Sequence, residues 1–289
     1  MNKLRSRILV LGCTGMLGNA IFRFFSNNPN FITFGSGRSN NTYKYFTNNL
    51  HERIYTGIDV ENFDVLTNLF ADAQPDIVIN CIGVVKQLRQ ASDVLSSAPI
   101  NTLLPHRLAK LSEVSHARFI HMSTDCVFSE NKGNYVENDF SDAYDIYGRT
   151  KYLGEVSYPN SITLRTSIIG HELVGKRSLL NWFLDQPGPV NGFRRAIFSG
   201  LPTLEIAKII QDYIIPNKNL SGVYHVSGDF INKFDLLCLL NCEYKKNIEI
   251  IPSDEISIDR SLNSEKFRKI TGYAPPSWKE LIRNMRNFG

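Results

Sequence analysis

The sequence lacks any apolar run long enough to cross a bilayer, so it predicts no transmembrane segment and no membrane association. The N-terminal stretch MNKLRSRILVLG has a short apolar run that breaks at Gly12, which favours a first strand over a signal peptide. The five cysteines include no Cys-x-x-Cys pair, and their odd count argues against a disulfide framework. Cys238 and Cys242 have helical i, i+4 spacing, but the lack of nearby partners favours core packing over a metal site. Reduced thiols then indicate a cytoplasmic protein.

A strong charge of one sign is also missing, because 32 basic residues are offset by 28 acidic residues, giving a net charge of +4. A surplus this small and scattered argues against nucleic acid as a partner. Hydrophobic residues make up 43% and charged residues 21%, as in ordinary globular proteins. The 289 residues suffice for one large domain, or for one domain with a smaller lobe.

The first motif is a glycine frame between a strand and a helix. The run RILVLG, residues 7–12, predicts a buried parallel strand, and GCTGMLG then begins a helical pattern. Strand, glycine-rich turn and helix together are typical of a dinucleotide fingerprint, in which the helix N-terminus binds a pyrophosphate. A glycine-rich loop without a ligand is the weaker alternative. The residues predicted to bind the cofactor here are Gly12, Gly15, Met16, Leu17 and Gly18.

The second predicted strand, residues 31–36, lacks the acidic residue that usually follows it and binds the ribose 2′-hydroxyl. Arg38 is the charged residue in this turn, and an Arg at such a place can bind a 2′-phosphate. This favours NADPH as the cofactor, with NADH as a possibility. The alternative is that Arg38 is a solvated loop residue.

Strand and helix patterns alternate along the first part of the chain. This alternation predicts an α/β fold, a Rossmann-type doubly wound parallel sheet with a smaller C-terminal substrate lobe. We expect residues 1–170 to form the NAD(P)-binding domain and residues 171–289 the lobe, with some elements returning to the first domain. The further strands are predicted at residues 53–59, 75–83, 118–124 and 161–170.

Ligands in such sheets bind outside the carboxyl ends of the strands. Residues near those ends are therefore further candidates for cofactor binding. Asp59 has a second interpretation, since it can instead cap the helix that follows. The candidates are Asp59, Val60, Cys81, Ile82, Gly83, Asn101, Ser123 and Thr166.

A helix predicted over residues 143–158 contains Tyr147 and Lys151, four residues apart and so on one face. A neighbouring ammonium lowers the pKa of a phenol, which makes Tyr147 a usable proton donor to a ketone. The spacing alone is common. It gains weight from the glycine frame upstream.

Three short segments resemble the extended short-chain dehydrogenase/reductase family, and within it the dTDP-4-dehydrorhamnose reductase branch. These are STDCVF at 123–128, YGRTK at 147–151 and LRTS at 164–167. The resemblance implies an NADPH-dependent reduction at C4 of a nucleotide-diphosphate-linked 4-keto-6-deoxy sugar, in surface polysaccharide synthesis. Tyr147 would give the proton, Lys151 would hold the nicotinamide ribose, and Thr124 would donate a hydrogen bond to the carbonyl. A monomer or homodimer is expected.

The same resemblance implies where the sugar nucleotide binds. Arg194 and Arg195 lie in a segment predicted to be irregular, and one of them is expected to bind the diphosphate. The segment RRAIFSG and the pair His171-Glu172 depart from the branch, which leaves the sugar and the base open. The residues expected to bind substrate are Val85, Lys86, Asp125, Cys126, Phe128, Trp182, Arg194 and Arg195.

Two alternatives stay open from the sequence. An epimerase or dehydratase shares this fold, but dehydratases of the family usually have a second acidic residue where Cys126 stands, and epimerases prefer NAD. A non-catalytic regulator that senses a dinucleotide belongs to another class. Such proteins often lose the Tyr or the Lys, and this chain has both Tyr147 and Lys151.

Overall fold

The computed structural model describes residues 5–289. The strands are β1 Ser6–Leu11, β2 Phe31–Ser36, β3 Ile54–Tyr55, β4 Ile77–Asn80, β5 Arg118–Thr124, β6 Ser161–Thr166, β7 Ile168–Ile169, β8 Val190–Phe198, β9 Leu201–Pro202, β10 Gly222–His225, β11 Ile231–Asn232 and β12 Ile250–Asp259. The α-helices are α1 Met16–Ser26, α2 Phe63–Ala73, α3 Val94–Ser97, α4 Leu104–Val114, α5 Ile146–Leu153, α6 Leu179–Asp185, α7 Thr203–Ile209, α8 Lys233–Glu243, α9 Glu265–Thr271 and α10 Trp278–Phe288.

The chain divides into two compact units that alternate along the sequence. The first unit runs up to Ser123 and includes Asp145–Leu164 and Pro216–Val223. The second consists of Thr124–Tyr144, Arg165–Ile215 and Tyr224–Gly289.

A seven-stranded sheet with the order β10-β6-β5-β4-β1-β2-β3 organises the first unit. The strand β1 pairs in parallel with both β2 and β4, so the chain builds outward from β1 in two directions. Such a reversal of strand order creates a crevice beyond the carboxyl ends of the two central strands. The predicted doubly wound sheet is therefore confirmed.

Apolar strands and helix faces form the core of this unit. Leu9 and Leu11 of β1 pack with Phe70 of α2, Leu108 of α4 and Phe119 of β5, and all of these side chains are at most 4% exposed. Strands that are buried on both faces need such continuous apolar runs. The short loops after β1 and β4 are consequently fixed to a rigid base.

The second unit contains a three-stranded sheet, β11-β8-β12, and the two-stranded pair β7-β9. Its core includes Leu180 and Phe183 of α6, Leu236 of α8 and Ile282 of α10, all at most 1% exposed. Among residues 5–289, no helix is both long and apolar enough to cross a membrane.

The strand predicted over 161–170 and the segment around Arg194 differ from the structure. The strand predicted over 161–170 ends at Thr166, and Ile168–Ile169 joins β9 in another sheet. The segment predicted to be irregular around Arg194 is the nine-residue strand β8. It pairs with β12, a partner some 60 residues later, which local sequence patterns do not show.

Candidate active site

The turn between β1 and α1 has the geometry expected of a phosphate-binding loop. Gly12 has φ +82, and a Cβ there would lie 2.9 Å from Ile82 Cγ1, while a Cβ on Gly18 would overlap the Gly12 carbonyl oxygen. Gly15 differs, because a Cβ on it would meet nothing closer than 3.5 Å. Gly15 is also the N-cap residue of α1, so no side chain there accepts from the first-turn N–H groups. The first turn of α1, with Met16, is thus suited to an anion.

The loop after β4 is held by two buried amide side chains, those of Asn80 and Asn101. Asn101 Oδ1 accepts from Val84 N at 2.8 Å, and Asn101 Nδ2 donates to Val84 O at 3.1 Å. Asn80 Oδ1 accepts from Ile82 N at 3.1 Å. Cys81 and Ile82 are half-buried and Gly83 is exposed, which leaves part of this loop open beside the Gly12 turn. Asn101 therefore fixes the backbone of the loop after β4, which is predicted to contact the cofactor.

Arg38 and Asp59 are both exposed, beyond the ends of β2 and β3. The helix-capping interpretation of Asp59 is wrong, because Asn62 is the N-cap of α2 and accepts from Asp64 N and Val65 N. Asp59 instead accepts from Glu61 N at 3.0 Å in the turn before the helix, and Val60 is half-buried there. The exposed side chains of Arg38 and Asp59 therefore both remain accessible to a ligand.

Helix α5 presents Tyr147 and Lys151 one turn apart. It begins at Ile146 and ends at Leu153, so it is shorter than predicted, and Asp145 caps it by accepting from Gly148 N at 2.6 Å. Tyr147 is partly buried, whereas Lys151 is 6% exposed. Gly154, just after the helix, lies so close to Asn101 that a Cβ would overlap the Asn101 carbonyl oxygen.

The ammonium of Lys151 is fixed at the carboxyl end of β5. Its Nζ donates to Met122 O at 2.7 Å, and burial lowers the pKa of Lys151 to about 8, with Glu155 opposing that shift. Ser123 Oγ donates to Glu155 Oε1 at 2.7 Å. An ammonium has three N–H donors, and the Met122 carbonyl accepts one of them. The others remain available to a phenolate or a ribose hydroxyl.

In the second unit, Thr124 forms a short capped turn. Its Oγ1 accepts from Cys126 N at 3.1 Å and donates to Asp125 Oδ1 at 3.1 Å. Burial raises the pKa of the Asp125 carboxyl, while the charges of Arg260 and Lys233 oppose that rise. Since the Thr124 hydroxyl hydrogen is directed at Asp125, it must turn away from that carboxylate to reach a substrate carbonyl.

The remaining predicted substrate residues have unequal surroundings. Arg194 binds the carboxylate of Asp254 through Nε at 3.0 Å and also through Nη2, whereas Arg195, the next residue of β8, is exposed. Phe128 is 1% exposed and stacks on Tyr135 at 4.2 Å, so its ring belongs to the core of the second unit and not to an open surface.

Four further predicted residues are placed as follows. Trp182 of α6 is 37% exposed, and Val85 is 46% exposed. Lys86 forms an ion pair with Asp145 at 2.9 Å. Thr166 is buried and donates to Ser167 O at 3.1 Å, which accounts for its hydroxyl without a ligand.

Sequence reasoning missed several residues that influence the predicted ones within each unit. Asp145 could have been found, since an Asp directly before a helical pattern is a capping signal. Glu155, Lys233 and Arg260 belong to no motif that the sequence shows. Arg260 binds Glu130 and lies near Cys126, with Nη1 3.9 Å from its Sγ. The contacts of Arg260 join residues more than 100 positions apart, so only the folded chain reveals them.

The comparisons with known proteins agree with this geometry. The family model described as the RmlD substrate binding domain matches residues 6–287. A curated relative, the dTDP-4-dehydrorhamnose reductase of Aggregatibacter actinomycetemcomitans, is 23% identical over 314 residues and covers 98% of this chain and 99% of its own. A second relative, the mouse methionine adenosyltransferase 2 subunit beta, is 30% identical over 154 residues, which are 52% of this chain and 41% of that protein.

A solved structure has the same fold along the whole chain. The dTDP-4-dehydrorhamnose reductase of Bacillus anthracis str. Ames, crystallised in complex with NADP, has a TM-score of 0.81 and 19% sequence identity, with 100% of both chains covered.

Proposed function

Since the chain belongs to the RmlD substrate binding domain family, we propose that it is an NADPH-dependent oxidoreductase that reduces the 4-keto group of a nucleotide-diphosphate-linked 6-deoxy sugar. This proposal rests on the buried Lys151, which lies one helical turn from Tyr147 on α5. The turn between β1 and α1 of the same unit has the geometry to bind a dinucleotide. The curated reductase that matches along nearly the whole chain supports this substrate class.

The described residues fit a dinucleotide. Gly12 and Gly18 allow the close approach of strand and helix, and the open space at Gly15 leaves room for a pyrophosphate against the N–H groups of α1. The absence of an acidic residue at the end of β2, together with the exposed Arg38, suits a 2′-phosphate. The NADP complex of the similar structure supports the same choice. Bound NADPH would supply the hydride to the carbonyl carbon.

The protein's own residues then handle the proton. Tyr147 is the general acid, whose phenol protonates the carbonyl oxygen as it gains charge. The protonated Lys151 would stabilise the resulting phenolate and bind the nicotinamide ribose. Its pKa near 8 means that the ammonium is mostly protonated at neutral pH even when buried. Thr124 would donate to the carbonyl oxygen once its hydroxyl leaves Asp125.

The chain is less suited to elimination or to a purely regulatory role. A dehydratase needs a second acidic group beside Asp125, and Cys126 takes that position. The second candidate is a protein that binds the dinucleotide without reacting, and the likeness of about half of this chain to a protein named as a subunit of methionine adenosyltransferase 2 is the reason to keep it. The presence of both Tyr147 and Lys151, with Lys151 held at β5, supports the reductase.

One assay separates these functions. Purified protein is mixed with NADPH and dTDP-4-dehydrorhamnose, and the nicotinamide absorbance is followed. We expect a loss of absorbance that depends on the keto sugar, and UDP-linked 4-keto-6-deoxy sugars tested in parallel identify the preferred base. NADPH binding without oxidation by any of these sugars would contradict the reductase and favour the non-catalytic candidate.

The preference for NADPH over NADH is expected to depend on Arg38. Replacing Arg38 with Ala removes a charge-assisted contact to the 2′-phosphate, a kind of bond that contributes about 1.5–3 kcal/mol. We expect the dissociation constant of NADPH to rise about tenfold or more, and that of NADH to change little. Fluorescence titration of both cofactors measures this. Arg283→Ala, on the exposed face of α10, is the control. Equal affinities for NADPH and NADH in the unmutated protein would show that Arg38 is only a loop residue.

A further inference from the structure

The carboxyl end of β5 holds helix α5 at two points. Lys151 Nζ donates to Met122 O at 2.7 Å, and Glu155 Oε1 accepts from Ser123 Oγ at 2.7 Å. Met122 and Ser123 are consecutive residues of β5 and are both buried. The ammonium and the carboxylate are therefore bound to neighbouring residues at the same end of one strand.

Glu155 reaches β5 because the chain keeps a helical geometry beyond the end of α5. Gly154 is the C-cap residue in the αR conformation, and Glu155 N donates to Tyr152 O at 3.1 Å. Residues 151 and 155 thus lie one turn apart on one face of the chain. A Cβ on Gly154 would overlap the Asn101 carbonyl oxygen, so this turn can lie so close to its neighbour only with a glycine before Glu155.

Glu155 supplies the negative charge in the surroundings of the buried ammonium. The charges of Glu155 and Cys81 oppose the lowering of the Lys151 pKa that burial causes. Burial raises the pKa of the Cys81 thiol, which is therefore neutral at physiological pH. On β5, burial and the Lys151 charge lower the pKa of His121, so this imidazole is neutral as well. Tyr147, one turn earlier on α5, is the proposed general acid.

We propose that Glu155 is a positioning residue for the reduction, because its carboxylate, held by Ser123, keeps the Lys151 ammonium at the end of β5. This inference rests on the proposed function, in which Lys151 stabilises the Tyr147 phenolate and binds the nicotinamide ribose. Glu155 has no contact with the reacting atoms in that scheme. It acts through Lys151, by the docking of the last turn of α5 and by its charge.

The Glu155 charge should determine the pH at which the enzyme loses activity. An anion favours the charged form of a neighbouring ammonium, so its removal lowers the pKa of Lys151 below its value of about 8. Lys151 is protonated below its pKa and loses the proton as the pH rises through that value. If the pKa falls by about one pH unit, turnover relative to the unmutated protein is nearly unchanged at about pH 6 and falls to about one tenth at about pH 9.

Two measurements on the full chain test this role. The first is an NMR titration of ¹³C-lysine-labelled protein without ligand, in which the Lys151 signal is identified by its absence from Lys151→Met. The second is the pH dependence of kcat for NADPH oxidation by the keto sugar. A loss of helix stability alone would change neither the pKa of Lys151 nor the shape of the pH profile.

The variants separate the charge from the hydrogen bond. Glu155→Gln keeps an acceptor for Ser123 without the charge, and Ser123→Ala keeps the charge without the hydrogen bond. Glu113→Gln is the control, since the Glu113 side chain is 49% exposed and pairs with Lys110 on α4. We expect Glu155→Gln to lower the pKa of Lys151 by about one pH unit, and the loss of kcat at high pH to move by the same amount. Ser123→Ala should lower this pKa by less, and Glu113→Gln should leave it unchanged.

Several results would overturn the inference. They are an unchanged pKa of Lys151 in Glu155→Gln, an unchanged pKa in Ser123→Ala, and a loss of kcat that is equal at every pH. If the Glu155→Gln chain does not fold, Ser123→Ala is the deciding variant.

The NMR titration also separates this inference from the proposed function. Turnover with an unchanged Lys151 pKa in Glu155→Gln overturns the inference alone. If no keto sugar oxidises NADPH, the proposed function fails. A lowered Lys151 pKa in Glu155→Gln would then still support Glu155 as the residue that positions the ammonium.

Discussion

Replacing Tyr147 with Phe should lower kcat by about 10²–10⁴-fold, the usual contribution of a general acid, and leave the dissociation constant of NADPH nearly unchanged. The phenol hydroxyl supplies the proton to the carbonyl oxygen, and the Phe ring keeps the packing of the partly buried side chain. Lys151 remains bound to the Met122 carbonyl, so the cofactor contacts of the ammonium are preserved. Steady-state kinetics with NADPH and the keto sugar, together with a cofactor titration, measure both quantities.

The same helix provides a matched control. Tyr152 lies one residue beyond Lys151 and is 42% exposed, so Tyr152→Phe removes a phenol hydroxyl from α5 without touching the proposed chemistry. This control should retain the unmutated kcat. A Tyr147→Phe protein that turns over as fast as the Tyr152→Phe control would refute the assignment of the general acid.

A methyl group on Gly18 should destabilise the protein and abolish tight NADPH binding. The added Cβ would overlap the Gly12 carbonyl oxygen and press on the Cys13 backbone, so α1 must move away from β1. Overpacking against side chains costs about 1–3 kcal/mol, and backbone atoms yield less than side chains do. We therefore expect Gly18→Ala to lower the free energy of unfolding by about 3 kcal/mol. NADPH should then bind at least tenfold more weakly.

Denaturant unfolding and cofactor titration check this result. Gly188→Ala is the control, because a Cβ at Gly188 meets nothing within 4 Å and its φ is not in the left-handed region. The control should unfold at the same denaturant concentration as the unmutated protein, or slightly higher. If Gly18→Ala binds NADPH normally and keeps its stability, then the close contact of Gly18 with Gly12 is not what shapes the phosphate loop.

The parts of the fold that the sequence predicts are those with local signals. The strand before Gly12, the glycine turn and α1 appear in the structure as the pattern indicated, because periodicity and glycine positions act within a few residues. The strand β8 was missed, since its alternation is obscured by glycine and by two adjacent Arg residues, and its pairing partner β12 is remote in sequence. The predicted strand over 161–170 ended early because Ile168 pairs with Leu201 in another sheet.

The candidate site divides in the same way. Tyr147 and Lys151 were predicted because their spacing within one helix is visible in the sequence. The partners of these groups were not predicted. Lys151 donates to a main-chain carbonyl of β5, and the charges of Arg260 and Lys233, both remote in sequence, oppose the rise of the Asp125 pKa. A carbonyl acceptor has no sequence signature.

The double hydrogen bond from Asn101 to Val84 has a kinetic consequence. Because the amide already satisfies the N–H and the C=O of Val84, and Nδ2 also reaches Thr150 Oγ1 of α5 at 3.4 Å, the loop after β4 and the Lys151 helix are joined before any ligand arrives. Association then needs no slow ordering step in this region. Mixing with excess cofactor should give a single exponential whose rate rises linearly with concentration, without the plateau that a preceding rearrangement imposes.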